Sequence, residues 1–205
     1  MYPAGTEDRA TEIDALIKAR AFDRAATAII SAYGAELFGF LVNVLGNEGD
    51  AAEVFSQVGE DLWRGLAAFR GTCSARTWLY VLARNAVSRH RRAPFRRQAH
   101  LTGDALFDAA VHTARTPTPL WQRTGVKDKW RALRDALCDE DRTLLVLRVD
   151  RGFEWEDVAR VTLGATQEEP LALRREAARL RKRFQLLKQE LRDRAREAGL
   201  VDGDK

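Results

Sequence analysis

Between Phe69 and Arg92 the chain concentrates groups that bind nucleic acid: Arg70, Arg76, Arg84, Arg89, Arg91 and Arg92, the rings of Trp78 and Tyr80, and the amide of Asn85. No acidic residue interrupts them. Guanidinium groups hold phosphate oxygens, an amide reads a base edge, and a flat ring stacks on an unpaired base. Leu79, Leu82, Ala83 and Ala86 recur at three- and four-residue spacing and predict an apolar helical stripe. Arg76, Tyr80, Arg84, Ser88 and Arg91 form a second stripe, cationic with one aromatic, and Trp78, Val81, Asn85, Arg89 and Arg92 lie between the two. Gly71 with Thr72 and Ser74 breaks any earlier helix, and Ser74 is placed to cap this one. The stretch reads as a loop followed by a helix whose outer side suits a nucleic-acid strand. Pattern alone also describes a solvated surface helix with its tryptophan in the core, so the rest of the chain has to decide.

Charge is the first discriminator. The net +4 of the 205 residues hides segregation: residues 1–69 carry −6, residues 70–100 carry +8, residues 127–170 carry −3 and residues 171–205 carry +5. Two separated basic blocks predict two contacts on one long polyanion. No unbroken apolar run is long enough to predict a membrane span, and the acidic, polar start at Met1 to Asp14 does not read as a signal peptide. Cys73 and Cys138 lie far apart without metal-ligand spacing, so both thiols are expected reduced, in a cytoplasmic protein. His90, His100 and His112 lack metal spacing and a nucleophile partner. The expectation is therefore a non-enzyme with no metal and no cofactor.

The elements that position the basic blocks are helical throughout. Residues 1–11 read as disordered, with a short helix over 12–20. Apolar positions from Phe22 to Leu45 keep helical spacing, and Gly46-Asn47-Glu48-Gly49 is a stop and turn. Asp50, with Glu53 three residues on, predicts a capping box for a helix reaching about Phe69, with Val54, Phe55, Val58, Leu62, Trp63 and Leu66 apolar. The prolines and glycines of residues 93–126 predict a flexible linker, with a transient helix at 101–111 and a docking point at Leu120-Trp121. The fold class expected is all-α: a three- to four-helix bundle over 20–92 and a second helical domain over 127–197, with an extension at 1–19 and a tail at 198–205.

In the second domain Trp130, Leu133 and Leu137 form one apolar face, and Asp139 or Asp141 starts a helix that ends at Arg151-Gly152. A short helix from Trp155, a turn at Gly164, and a long helix opening on Pro170 follow, with Leu171, Leu173, Ala177, Leu180, Phe184, Leu187 and Leu191 inward. Short helix, glycine turn and longer basic helix is the order of a helix-turn-helix, with Arg174, Arg175, Arg179, Arg181, Lys182 and Arg183 available to phosphates and guanine edges. A charged coiled-coil helix is the competing description.

Phe69-Arg70-Gly71, Arg76-Thr77-Trp78-Leu79-Tyr80 and Ala83-Arg84-Asn85 resemble the promoter-melting segment of bacterial RNA polymerase sigma factors of the extracytoplasmic-function (ECF) type. Asp50-Ala51-Ala52-Glu53 with Leu62-Trp63-Arg64 resembles that family's polymerase-binding helix. Leu145-Val146-Leu147-Arg148, Trp155-Glu156-Asp157-Val158-Ala159 and Leu180-Arg181-Lys182-Arg183-Phe184 resemble its promoter-reading helix-turn-helix. The sequence departs from the family in having Ser56 where glutamine is usual, with Gln57 beside it, and in extra residues from Thr166 to Pro170.

The resemblance implies core RNA polymerase and promoter DNA as partners, and an anti-sigma protein of the kind that holds many relatives. It implies polymerase contacts by Asp50, Glu53, Val54, Gln57, Glu60 and Asp61. It places Arg70, Gly71, Thr72, Arg76, Trp78, Tyr80, Arg84, Asn85, Arg89, Arg91 and Arg92 on the melted minus-ten element. The minus-thirty-five element falls to Arg181-Lys182-Arg183, with Arg174-Arg175 as the rival placement. Two other classes fit the residues: a helix-turn-helix regulator without sigma activity, and a helical protein-interaction adaptor.

Overall fold

A computed structural model describes residues 6–92, 125–164 and 169–200, and among them there is helix and turn but no strand. The helices are α1 (Thr6–Lys18), α2 (Phe22–Leu45), α3 (Glu48–Gly65), α4 (Ala75–Arg92), α5 (Gly125–Asp135), α6 (Asp139–Leu145), α7 (Trp155–Leu163) and α8 (Pro170–Glu197). A 3-10 turn, Leu66–Ala68, follows α3, and a π turn, Val146–Asp150, extends α6. Two compact units result: α1 to α4 with residues 160–164 form the first, and α5, α6, residues 155–159 and α8 belong to the second. The all-α class of two helical units is the one predicted. Most of the expected linker, residues 93–124, lies outside the described residues, as do the helix expected at 101–111 and the docking point at Leu120-Trp121.

The first unit is built on α2, which packs against α1, α3 and α4. Its length and hydropathy would also let it cross a membrane, which the search for an unbroken apolar run missed. Here Ile29, Leu37, Phe38, Phe40 and Leu41 make it the core of a bundle. Phe38 meets Phe55 of α3 edge to face at 5.8 Å, and Phe40 meets Tyr80 of α4 at 5.1 Å. Residues 6–11, expected disordered, are helical, because α1 lays Ile13 into that core. Arg20 then adopts φ 56°, and the Ala21 N–H reaches back to the Leu16 carbonyl at 3.0 Å. This left-handed turn closes α1 without a glycine, at a strain that the loss of a Cβ would relieve.

The remaining boundaries follow from capping. Gly46 takes φ 71° and donates its N–H to the Val42 carbonyl, ending α2 as predicted. The start of α3 differs from expectation. Asn47, not Asp50, is the cap: its side-chain oxygen accepts the Gly49 and Asp50 N–H groups at 2.7 and 3.1 Å. Asn47 has the extended backbone a cap requires, whereas Asp50 is already inside the first turn. Ser74 does cap α4, accepting the Thr77 N–H at 3.0 Å.

In the second unit α6 opens to a π turn, the Arg151 N–H bonding the Val146 carbonyl, and Gly152 at φ 66° ends it. Pro170 occupies the first turn of α8, and Leu173, Ala177, Leu180, Phe184 and Leu187 are buried along one stripe. Leu171 was expected there but is 52% exposed. It sits in the opening turn on the opposite side, since two residues apart on a helix face nearly opposite ways.

Asn47→Ala is expected to cost the chain about 1 kcal/mol, read as a lowered urea midpoint for the first unit. Asp50→Ala should leave the cap and that midpoint in place.

Candidate nucleic-acid interface

Helix α4 is two things along its length. Its first half is core: α1, α2 and α3 all pack against the helix, and Ala75, Thr77, Trp78, Leu79, Tyr80, Val81 and Ala83 are buried. Three predicted DNA contacts are thereby corrected. Tyr80 has no exposed surface and its ring tilts against Phe40. Trp78 is 4% exposed, stacked on Phe69 at 4.7 Å, and so close to α3 that a Cβ on Gly65 would lie 3.1 Å from its ring. Arg76 donates to both oxygens of Glu36, at 2.7 and 3.1 Å, with its guanidinium 6.0 Å from the Tyr80 ring centroid. The same environment raises the Tyr33 phenol pKa, through burial first. The expected cationic stripe fails here because a helix enclosed by three neighbours has no outer side.

The second half keeps a solvent side. Arg89, Arg91 and Arg92 are exposed and Arg84 and Asn85 are half-buried. Arg84 donates to the Ser88 hydroxyl at 2.8 Å and Arg91 to the Val44 carbonyl at 3.0 Å. Arg89 is paired with Asp61. At the other end Arg70, Gly71 and Thr72 form an exposed loop that Gly71 turns with φ 68°. Loop and basic end are separated by about 27 Å of helix. A strand lying along α4 would meet the loop first and the arginines several nucleotides later.

The expected polymerase-binding helix is α3. Val54 is buried and withdrawn from any interface. The polar ridge Asp50, Glu53, Gln57 and Asp61 faces α4. His90 stands 3.5 Å from Asp50 and 3.8 Å from Glu53, Gln57 donates to Asp61 at 3.2 Å, and Asp61 meets Arg89. Glu60 pairs with Arg64 on the outer side. Trp63, expected inward, is 60% exposed, its indole N–H bonded to Asp23 at 2.9 Å. Leu62 holds the core position, and its neighbour is turned about 100° away.

Residues 29–97 match the family model described as Sigma-70 region 2. Over 148 residues the chain is 29% identical to the RNA polymerase sigma-H factor of Pseudomonas aeruginosa, covering 69% of this chain and 75% of that protein. Over these residues the chain is similar to sigma factors of the sigma-70 family. The region 2 match spans α3, the loop and α4, which carry the geometry described above.

The second unit sorts its predicted contacts just as sharply. Arg183 is engaged inside the unit. Its Nε donates to Asp141 Oδ1 at 2.7 Å and its Nη2 to Oδ2, while the Cys138 thiol donates to Oδ2 at 3.2 Å. The Arg183 hydrogen bond holds the Asp141 carboxyl below its ordinary value, and the carboxylate raises Arg183 in turn. Arg179 is bonded twice to Glu176, which raises its pKa. Arg181 lies over the Trp155 ring at 5.9 Å. Arg174, Arg175 and Lys182 are exposed, with no ion pair among the described residues. Sequence reasoning missed Glu36 and Asp141. Each has its partner about forty residues away; Glu36 lies in charge-poor chain, whereas nothing in the run Asp139-Glu140-Asp141-Arg142 marks Asp141 for burial.

Two measurements check these pairs. Glu36→Gln strands a largely buried guanidinium and is expected to cost about 3 kcal/mol in urea unfolding, whereas Glu36→Leu with Arg76→Met should cost much less. For Asp141, the lowered carboxyl stabilises the fold in full above its ordinary pKa of 3.8, and that contribution fades as pH falls through the lower folded value. Protection of α8 amides against hydrogen exchange, relative to the unfolded chain at the same pH, should therefore fall on acidification below about pH 4 in wild type. In Asp141→Asn that protection should be low at every pH.

Proposed function

We propose that this protein is a sigma factor of the ECF type. It binds core RNA polymerase, directs it to promoters and helps open the minus-ten element. The reading is carried by one observation: within a region 2 match, α4 leaves an exposed glycine loop at one end and exposed arginines at the other. Unstacking costs a few kcal/mol per base step. Arg70, Gly71 and Thr72 are placed to hold an expelled base by backbone and side-chain hydrogen bonds, which lowers that cost. Arg84, Arg91 and Arg92, with Arg89 once Asp61 releases it, would carry the strand's phosphates. Asn85 donates its amide to the Gly164 carbonyl at 2.9 Å and would meet a base edge only on releasing it.

The outer surface of α3, with Glu60 and Trp63, is the part of the acidic helix that remains open to a basic polymerase surface. Asp50, Glu53 and Asp61 join it only by exchanging His90 and Arg89 for polymerase cations. The second unit supplies the minus-thirty-five contact through α8, and the chain joining the units makes that contact effectively intramolecular. Phosphodiester synthesis belongs to the polymerase, so the sigma factor contributes binding, not catalysis, in the cytoplasm where the polymerase works. An anti-sigma protein would compete for the same surfaces.

In vitro transcription with core polymerase and genomic fragments tests this reading directly. Arg84→Glu with Arg92→Glu should lower promoter opening roughly tenfold or more, followed by permanganate reactivity of thymines, through lost phosphate contacts. The variant should still co-purify with core polymerase. Unchanged opening removes α4 from the melted strand.

A further inference from the structure

We propose that Arg183 and Asp141 are positioning residues, setting the rotation of α8 rather than touching DNA. The proposal rests on the promoter reading of the second unit. Helix α8 is held inward by Leu173, Ala177, Leu180, Phe184 and Leu187. An apolar stripe is non-directional, so it resists departure of the helix better than a roll about its axis. A fork-to-carboxylate pair has one good geometry. Arg183 lies on the flank of α8 next to the stripe, and its Nε and Nη2 grip both oxygens of Asp141 at the start of α6. Asp141 is 4% exposed and takes the Cys138 thiol as well, so its carboxylate is fixed from a second direction.

The opposite flank is pinned independently. Arg181 lies over the Trp155 ring at 5.9 Å, Arg148 lies over it at 5.0 Å, and the Phe184 ring meets it edge on at 5.5 Å. With both flanks held, Arg175 and Lys182, seven residues apart, point directly away from the stripe with Ala178 between them. A helix with side chains is about 10–12 Å across, so a roll of some 15° moves that edge by about 1.5 Å. This exceeds the tolerance of a base-edge hydrogen bond. Losing the fork therefore degrades discrimination between sequences while leaving the number of phosphate contacts unchanged.

The test uses the full chain bound to core polymerase, with two probes. One is a 30-base-pair duplex enriched from a random library by the wild-type complex; the other is the same duplex shuffled. Arg183→Gln, Arg183→Lys and Asp141→Asn are each expected to lower the affinity ratio between the probes about tenfold. None should alter the slope of log K against log salt, and Arg183→Lys with Asp141→Asn should be no worse than either alone. The reversed pair, Asp141→Arg with Arg183→Asp, should recover part of the ratio, and it carries the test if the single variants do not fold. Two results overturn the proposal: a slope reduced by about 0.9 in Arg183→Gln with Arg183→Lys and Asp141→Asn at the wild-type ratio, or a folded reversed pair without recovery. No enrichment by the wild-type complex overturns the promoter reading itself, and this proposal with it.

Discussion

The structure of the first unit depends on the enclosure of Arg76 by Glu36 and Tyr80. A guanidinium between α2 and α4 is costly to desolvate, and the pair offsets that cost only because both oxygens of Glu36 accept from it. The consequence is rotational and axial register. With Arg76 fixed, Trp78 must stack on Phe69 and fill the space that Gly65 leaves, and Tyr80 must meet Phe40. The loop between Phe69 and Ser74 is left largely exposed, and α4 ends on the exposed arginines Arg89, Arg91 and Arg92. A helix that is core at one end and cationic surface at the other can hold a strand without deforming itself.

The second unit uses the same device with the signs of burial reversed. In the first unit the arginine is the buried partner; in the second it is the acid, Asp141, while Arg183 keeps part of its surface. In both, one bidentate pair spans two helices about forty residues apart in sequence, and the cations left over face outward. Cation count alone therefore overstates the DNA-binding surface. Of the described arginines in the two basic blocks, Arg76, Arg179, Arg183, Arg194 and Arg196 are engaged by acids of the chain itself, and Arg89 is shared with Asp61.

Much of this was legible in the residues. The span of α2, the Gly46 stop, the Ser74 cap, the Pro170 start of α8 and its stripe from Leu173 to Leu187 follow from local rules, because each is decided within one or two turns of chain. What was not legible depended on distant neighbours. Whether Arg76, Tyr80 and Trp78 point to solvent is decided by how many helices surround α4, which no periodicity within α4 records. Asn47 outcompeted the Asp50–Glu53 box because cap choice turns on the backbone angle at one residue. Trp63 and Leu171 were assigned inward by hydrophobicity alone, although Leu62 and Leu173 already held the inward positions.

Arginine footprinting of the polymerase complex is the measurement closest to the central claim. The complex would be treated with phenylglyoxal in the presence and absence of a promoter fragment, and modified arginines located by mass spectrometry. The account predicts that Arg84, Arg91 and Arg92 react without DNA and are protected when the promoter opens, while Arg76 stays unreactive in both. Protection of Arg76 by DNA, or an end of α4 equally reactive with and without an open promoter, would contradict it.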